Sequence, residues 1–142
     1  MTSNPLVGTW RLISWETRSV DGQNVSYPFG RAAVGYIMYN QDGYMFVAIT
    51  RPNRERFAAG DLLSGSTEEK AHAASSYVSY CGRYEFQGET IIHHVELSLF
   101  PNWVSVDQER LVELRGNRLT LSTRPILLGG KLQTAHLIWE RV

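Results

Sequence analysis

Cysteine is nearly missing: Cys81 stands alone in 142 residues, so no internal disulfide can form. Excess charge of either sign is also missing, with 14 basic and 14 acidic residues. The chain therefore has no basic field to attract nucleic acid or an anionic membrane surface. No apolar run approaches the roughly 20 residues that a membrane-spanning helix needs. Met1-Thr2-Ser3-Asn4-Pro5 lacks the basic and apolar segments of a secretory leader, and a cytoplasmic location is expected. Cys-x-x-Cys, His-Glu-x-x-His, a P-loop, a nucleophile elbow and a dinucleotide fingerprint are all absent. No cofactor and no metal are expected. The same-face spacing of His94-x-Glu96 is the nearest approach to a ligand pair, and His72 and His136 lie far from it in sequence.

What is present reads as one domain over residues 1–142, all-β, with a core of useful size. Residues 7–17 are rich in aromatic and β-branched side chains and contain no Pro, so they read as the first strand. Strict alternation puts Trp10, Leu12 and Ser14 on one face and Arg11, Ile13 and Trp15 on the other. A strand with large apolar groups on both faces needs cover on both sides, which a closed barrel or a sandwich supplies. Further strand-like runs occupy 25–29, 35–39, 44–51, 77–87, 90–99, 108–115, 119–123 and 132–141, separated by turn residues such as Asp42-Gly43 and Gly116-Asn117. The order is a meander of about eight to ten strands, which predicts an antiparallel up-and-down barrel. Residues 53–65 show no period and form a long connection. Ser66 and Glu69 then make a capping box that opens one helix over about 67–75, read as closing a barrel end or as a lid.

The strand 90–99 carries the strongest functional signal. Ile91, His93, Val95, Leu97 and Leu99 share an apolar face expected to point inward. His94, Glu96 and Ser98 share the outer face, where His94 is expected to meet Glu96 or a covering loop. A histidine inside an apolar cavity can stay neutral and serve as acid, base or hydrogen-bond partner. It can equally be a structural residue satisfied by a neighbour. Tyr80 and Tyr84 share a face of the preceding strand and can lie near His93 if the two strands pair. Tyr39, Tyr44 and Phe46 are candidates for an aromatic wall. Arg51 and Arg110 are candidates for an anionic ligand group, with surface ion pairs as the alternative.

Gly8-Thr9-Trp10 at the start of the first strand is similar to the Gly-x-Trp signature of lipocalins and related calycins. Arg141 matches the basic residue that calycins place over that Trp. The ordered set Leu6-Val7-Gly8-Thr9-Trp10, Asp42-Gly43-Tyr44, Arg51-Pro52, His93-His94-Val95-Glu96, Pro101-Asn102-Trp103, Gln108-x-Arg110 and Leu119-x-Leu121-Ser122-Thr123 resembles the lipocalin-like domain family of small bacterial and fungal proteins. The resemblance implies a calycin-type barrel over nearly the whole chain. It leaves activity open, because one fold hosts many functions. Three readings follow. The first is a barrel that binds a small hydrophobic molecule or metabolite. The second is a cofactor-free isomerase, cyclase or dehydratase using His93, with Tyr80 and Tyr84 beside it. The third is a structural or interaction barrel filled by its own side chains. An interior cavity of roughly 300 Å³ or more would separate the third from the others.

Overall fold

The computed structural model describes residues 4–142. Its strands are β1 (Gly8–Ser19), β2 (Val25–Ser26), β3 (Val34–Tyr39), β4 (Tyr44–Thr50), β5 (Tyr77–Phe86), β6 (Thr90–Ser98), β7 (Asp107–Arg115), β8 (Arg118–Ser122), β9 (Ile126–Leu128) and β10 (Lys131–Arg141). Eight of them close an antiparallel barrel in the order β1-β3-β4-β5-β6-β7-β8-β10, and β10 returns to pair with β1. The short β2 and β9 extend β1 and β10 at one end. This is the expected up-and-down topology. β9, just after Pro125, is an addition to the strands expected from sequence.

Three tight hairpins, at residues 40–43, 87–89 and 116–117, lie at the end where β1 begins. Trp10 is wholly buried there, and its indole N–H donates to the Leu6 carbonyl at 2.9 Å. The Arg141 guanidinium lies 4.2 Å from the centre of the Trp10 ring and donates to the carbonyl of Val7. Gly8, at φ +131°, is what this arrangement requires: a Cβ there would sit 2.8 Å from the Arg141 Nη1. The expected pairing of the signature Trp with the terminal Arg is therefore present.

The opposite end receives the long connections, with α1 (Thr67–Ser75) in one of them and a short 3-10 turn at Pro101–Trp103 in another. The capping box between Ser66 and Glu69 forms as expected. α1 does not fill the barrel, however. It buries none of its residues and is tied down by polar contacts, Arg54 to the Ala73 carbonyl and the Ala58 N–H to Glu69. No helix is long and apolar enough to cross a membrane among the described residues.

Two bulges alter the faces expected from simple alternation. In β1 the register against β10 shifts between Leu12 and Ser14. Trp10 and Leu12 point inward before the shift, and Trp15 and Thr17 point inward after it, so Trp15 joins the interior rather than the face opposite Trp10. In the β5–β6 pair the shift lies between Cys81 and Gly82, where Glu96 is the extra residue between Val95 and Leu97. Leu97 is turned out and 69% exposed, and Leu99 is also exposed, against the expectation that both line the interior.

Candidate functional site

His93 is 1% exposed, on the inner face of β6. Both ring nitrogens are engaged. The Tyr39 hydroxyl lies 2.7 Å from Nε2, and the Tyr80 hydroxyl lies 2.7 Å from Nδ1. The strands explain the placement. Tyr39 ends the inward row of β3 and Tyr80 belongs to the inward row of β5, so the imidazole of β6 lies between residues from two other strands. Gly82 permits the close approach of β6: a Cβ on it would lie 2.0 Å from the His94 carbonyl oxygen.

Burial, then the charges of Arg110 and His94, push the His93 pKa down to about 3. The ring is neutral at physiological pH, with one nitrogen donating and the other accepting. One tyrosine therefore donates to His93, and the other accepts from it and keeps its own O–H free. Burial raises the pKa of both Tyr39 and Tyr80, so both hydroxyls stay protonated.

His93 and Tyr80 form part of the wall of an interior cavity of about 80 Å³ that opens toward the half of the barrel served by the long connections. Otherwise the lining is mainly apolar and includes Ile37, Val47 and Leu121 from three strands, with Ile126 and Leu128 from β9. Trp103, from the 3-10 turn, meets Tyr80 edge-on with ring centres 5.8 Å apart. The volume falls well short of the roughly 300 Å³ of ordinary ligand sites. Trp15 and Trp139 also line the cavity, and the indole N–H of each is buried without a hydrogen-bond partner among the described residues. Such orphaned donors are uncommon in native interiors. Arg110 enters the same wall from β7, donating to the Glu109 carbonyl at 2.9 Å and to the Gln108 side chain at 3.2 Å.

The residues singled out from sequence divide into those the barrel brings together and those it does not. His93, Tyr80 and Arg110 line the cavity, and Tyr39 buttresses His93 from behind. Tyr84 is placed near the other end. Its ring meets Tyr39 edge-on, and its hydroxyl donates to the Asn40 carbonyl and accepts from Asn4, so it does not reach His93. Tyr44 and Phe46 belong to the outward row of β4 and are 40% and 41% exposed, so they form no part of the interior wall. Arg51 is exposed as well. It donates to the Pro28 carbonyl and lies over the Phe29 ring, outside the cavity. His94 faces outward as expected, but it meets Asp107 at 2.7 Å and Glu85 at 3.2 Å rather than Glu96, whose carboxylate accepts from the Arg83 N–H. Among the described residues no group of three or more His, Cys, Asp or Glu side chains is placed to hold a metal ion.

Sequence reasoning missed the indoles of Trp15, Trp103 and Trp139. Trp139 was within reach of the alternation along β10, but no motif marks it. Trp15 was hidden by the β1 bulge. Trp103 enters from a turn, where no periodicity applies.

Residues 7–142 match the lipocalin-like domain family. The 4'-hydroxy-3'-methoxypropiophenone carrier protein of Aspergillus oryzae is 35% identical over 107 residues, covering 69% of this chain and 96% of that protein. Among solved structures, the lipoprotein YedD of Klebsiella pneumoniae aligns over 99% of this chain and 74% of its own at 10% identity, with a TM-score of 0.43. That likeness is too distant to bear on the site.

Proposed function

Because the chain belongs to the lipocalin-like domain family, we propose that its barrel carries a small, mainly apolar aromatic molecule whose polar atoms accept hydrogen bonds. The observation that carries this reading is the pair of unpartnered indole N–H groups, on Trp15 and Trp139, in an apolar wall that also holds Tyr80 and Arg110. These groups all have protons to donate, and a ligand with ketone, ether or phenol oxygens supplies acceptors. In this reading His93 donates from Nδ1 to Tyr80 and accepts at Nε2 from Tyr39, which frees the Tyr80 O–H for the ligand. His93 is then a positioning residue. The named ligand of the Aspergillus relative, an aryl ketone with hydroxyl and methoxy groups, has this chemistry.

Entry requires the mouth to widen, because about 80 Å³ does not hold such a molecule. Trp103, Ile126 and Leu128, on a turn and a three-residue strand, are the side chains that must move. The small volume favours a second reading, a barrel filled by its own side chains. One titration decides between them. Tryptophan fluorescence is followed while 4'-hydroxy-3'-methoxypropiophenone is added. Saturable quenching with a raised melting temperature is expected. Neither change, up to the solubility limit of the ligand, would leave the filled barrel standing.

The acid–base reading of His93 has little support in this geometry. Both ring nitrogens are occupied, and a conjugate acid with a pKa of about 3 marks a weak base. Turnover by a barrel with Tyr80→Phe and Tyr39→Phe intact in rate would be needed to revive a role for the imidazole alone.

A further inference from the structure

Arg110 is the sole formally charged side chain in the cavity wall, which contains no Asp or Glu. Its two hydrogen bonds go to neutral groups, a backbone carbonyl and the Gln108 amide oxygen. It forms no ion pair among the described residues. The carboxylate next to it in sequence, Glu109, faces outward and pairs with Arg124 at 3.1 Å. His93 remains neutral, so the local charge stays at plus one across the physiological range. The Arg110 side chain is half-buried, so solvent reaches it while the cavity is empty, and a ligand that displaces this water leaves the charge without a partner at a cost. An anionic oxygen arriving with the ligand offsets it through a charge-assisted hydrogen bond.

We propose that the cavity selects the oxyanion form of its aromatic ligand, with the Arg110 guanidinium as counter-charge and the Tyr80 hydroxyl as the neighbouring donor. The inference rests on the carrier reading above and adds which form of the ligand is bound. A phenol with an acyl group para to its hydroxyl is the matching class. The acyl group spreads the phenolate charge, so the phenol ionises near neutral pH and the anion exists to be selected. On binding, the O–H bond breaks, its proton goes to solvent, and the oxygen keeps the electron pair.

Phenolates of this class absorb at longer wavelength than the neutral phenols, so the test reads the ionisation state directly. The probe is para-hydroxyacetophenone, with para-methoxyacetophenone as the ether that cannot ionise. Absorbance is titrated against pH with and without excess protein. The expected result is an apparent pKa at least one unit lower for the bound phenol, equivalent to a tenfold or greater preference for the anion. Arg110→Gln should abolish that shift and weaken the phenol at least tenfold, while weakening the ether less. Arg110→Lys, which keeps the charge, should restore part of the shift. Circular dichroism confirms the barrel in each variant. A phenol that binds with the spectrum of its neutral form, or a shift that survives in Arg110→Gln, would overturn the inference and leave the carrier reading intact. Binding of neither probe at any pH would overturn both.

Discussion

Where β1 begins, the barrel is tied off by three hairpins and by the Trp10–Arg141 stack, and the indole N–H of Trp10 is satisfied by Leu6. Toward the end of β1 the connections are long, and the cavity of about 80 Å³ on that side reaches inward as far as Trp139, opposite Leu12; the indole N–H groups of Trp15 and Trp139 in its wall have no partner among the described residues. The same residue type is thus used in two ways in one barrel. Trp10 is a finished structural contact, whereas Trp15 and Trp139 keep an unmet hydrogen bond in a wall that also carries an unpaired guanidinium. A buried donor without a partner opposes stability, by about 1–3 kcal/mol.

The largest effect should come from the finished end. Trp10→Ala removes a wholly buried indole, its hydrogen bond and its contact with Arg141, and should cost about 3–5 kcal/mol in urea unfolding. Trp103→Ala, on a half-buried turn at the open end, should cost about 2 kcal/mol or less and should speed ligand entry. Equal costs at the two sites would remove the distinction between the ends.

The next effect belongs to His93, at the inner boundary of the cavity. Its pKa falls from 6.5 to about 3 on folding, so the unfolded chain binds more protons between those values. Stability from this residue is complete above pH 6.5 and is lost on acidification through that window, by up to about 1.4 kcal/mol per pH unit. Urea unfolding of the wild type and His93→Gln at several pH values checks it. The variant should be less stable near neutrality, and its stability should fall less steeply in acid. Parallel curves would show that His93 is not buried neutral.

A smaller effect compares indole with indole. Trp139→Phe removes a donor that has no partner, so the loss of ring area is partly offset and the cost should be about 1 kcal/mol. Trp10→Phe removes a donor bonded to Leu6 as well as ring area, and should cost about 1 kcal/mol more. Ligand affinity should drop in Trp139→Phe and hold in Trp10→Phe. A loss of affinity in both would show that lining the cavity is not what distinguishes the two indoles.

Sequence showed the closed end more clearly than the open one. Gly8-Thr9-Trp10, the Asp-Gly and Gly-Asn turns and the terminal Arg141 act through local geometry and short-range sterics, which a linear reading captures. The capping box of α1 was legible for the same reason. Alternation carried His93, Tyr80 and Tyr84 inward correctly, since no bulge interrupts the stretch of β6 that holds His93. It failed after Leu12 and after Val95, where one extra residue reverses every later side chain. Tyr44 and Phe46 failed for another reason. Their aromatic character suggested a wall, while their own strand's alternation with the buried Met45 and Val47 put them outside. The two-sided hold on His93 was beyond reach, because it depends on Tyr39, 54 residues away in the chain.

The smallest effect comes from His94, one residue from His93 and on the other side of the wall. Hydrogen bonds to Asp107 and Glu85 raise its pKa above 6.5. Protonated His94 is therefore favoured by folding: its contribution is complete below pH 6.5 and is lost as pH rises through the folded value. The dependence is opposite in sign to that of His93. The two carboxylates are mostly exposed, so solvent screens the interaction and His94→Ala should cost about 0.5 kcal/mol or less at pH 6, and less still at pH 8. Ligand affinity should be unchanged, because His94 does not line the cavity. NMR titration of the two imidazoles separates the neighbours without any mutation. The His94 ring should titrate above 6.5, while the His93 ring should hold its neutral shifts until pH approaches 3 or the barrel unfolds. Two rings titrating together near 6.5 would mean that the wall between them admits water, and that the polar group at its inner surface is an ordinary solvated histidine.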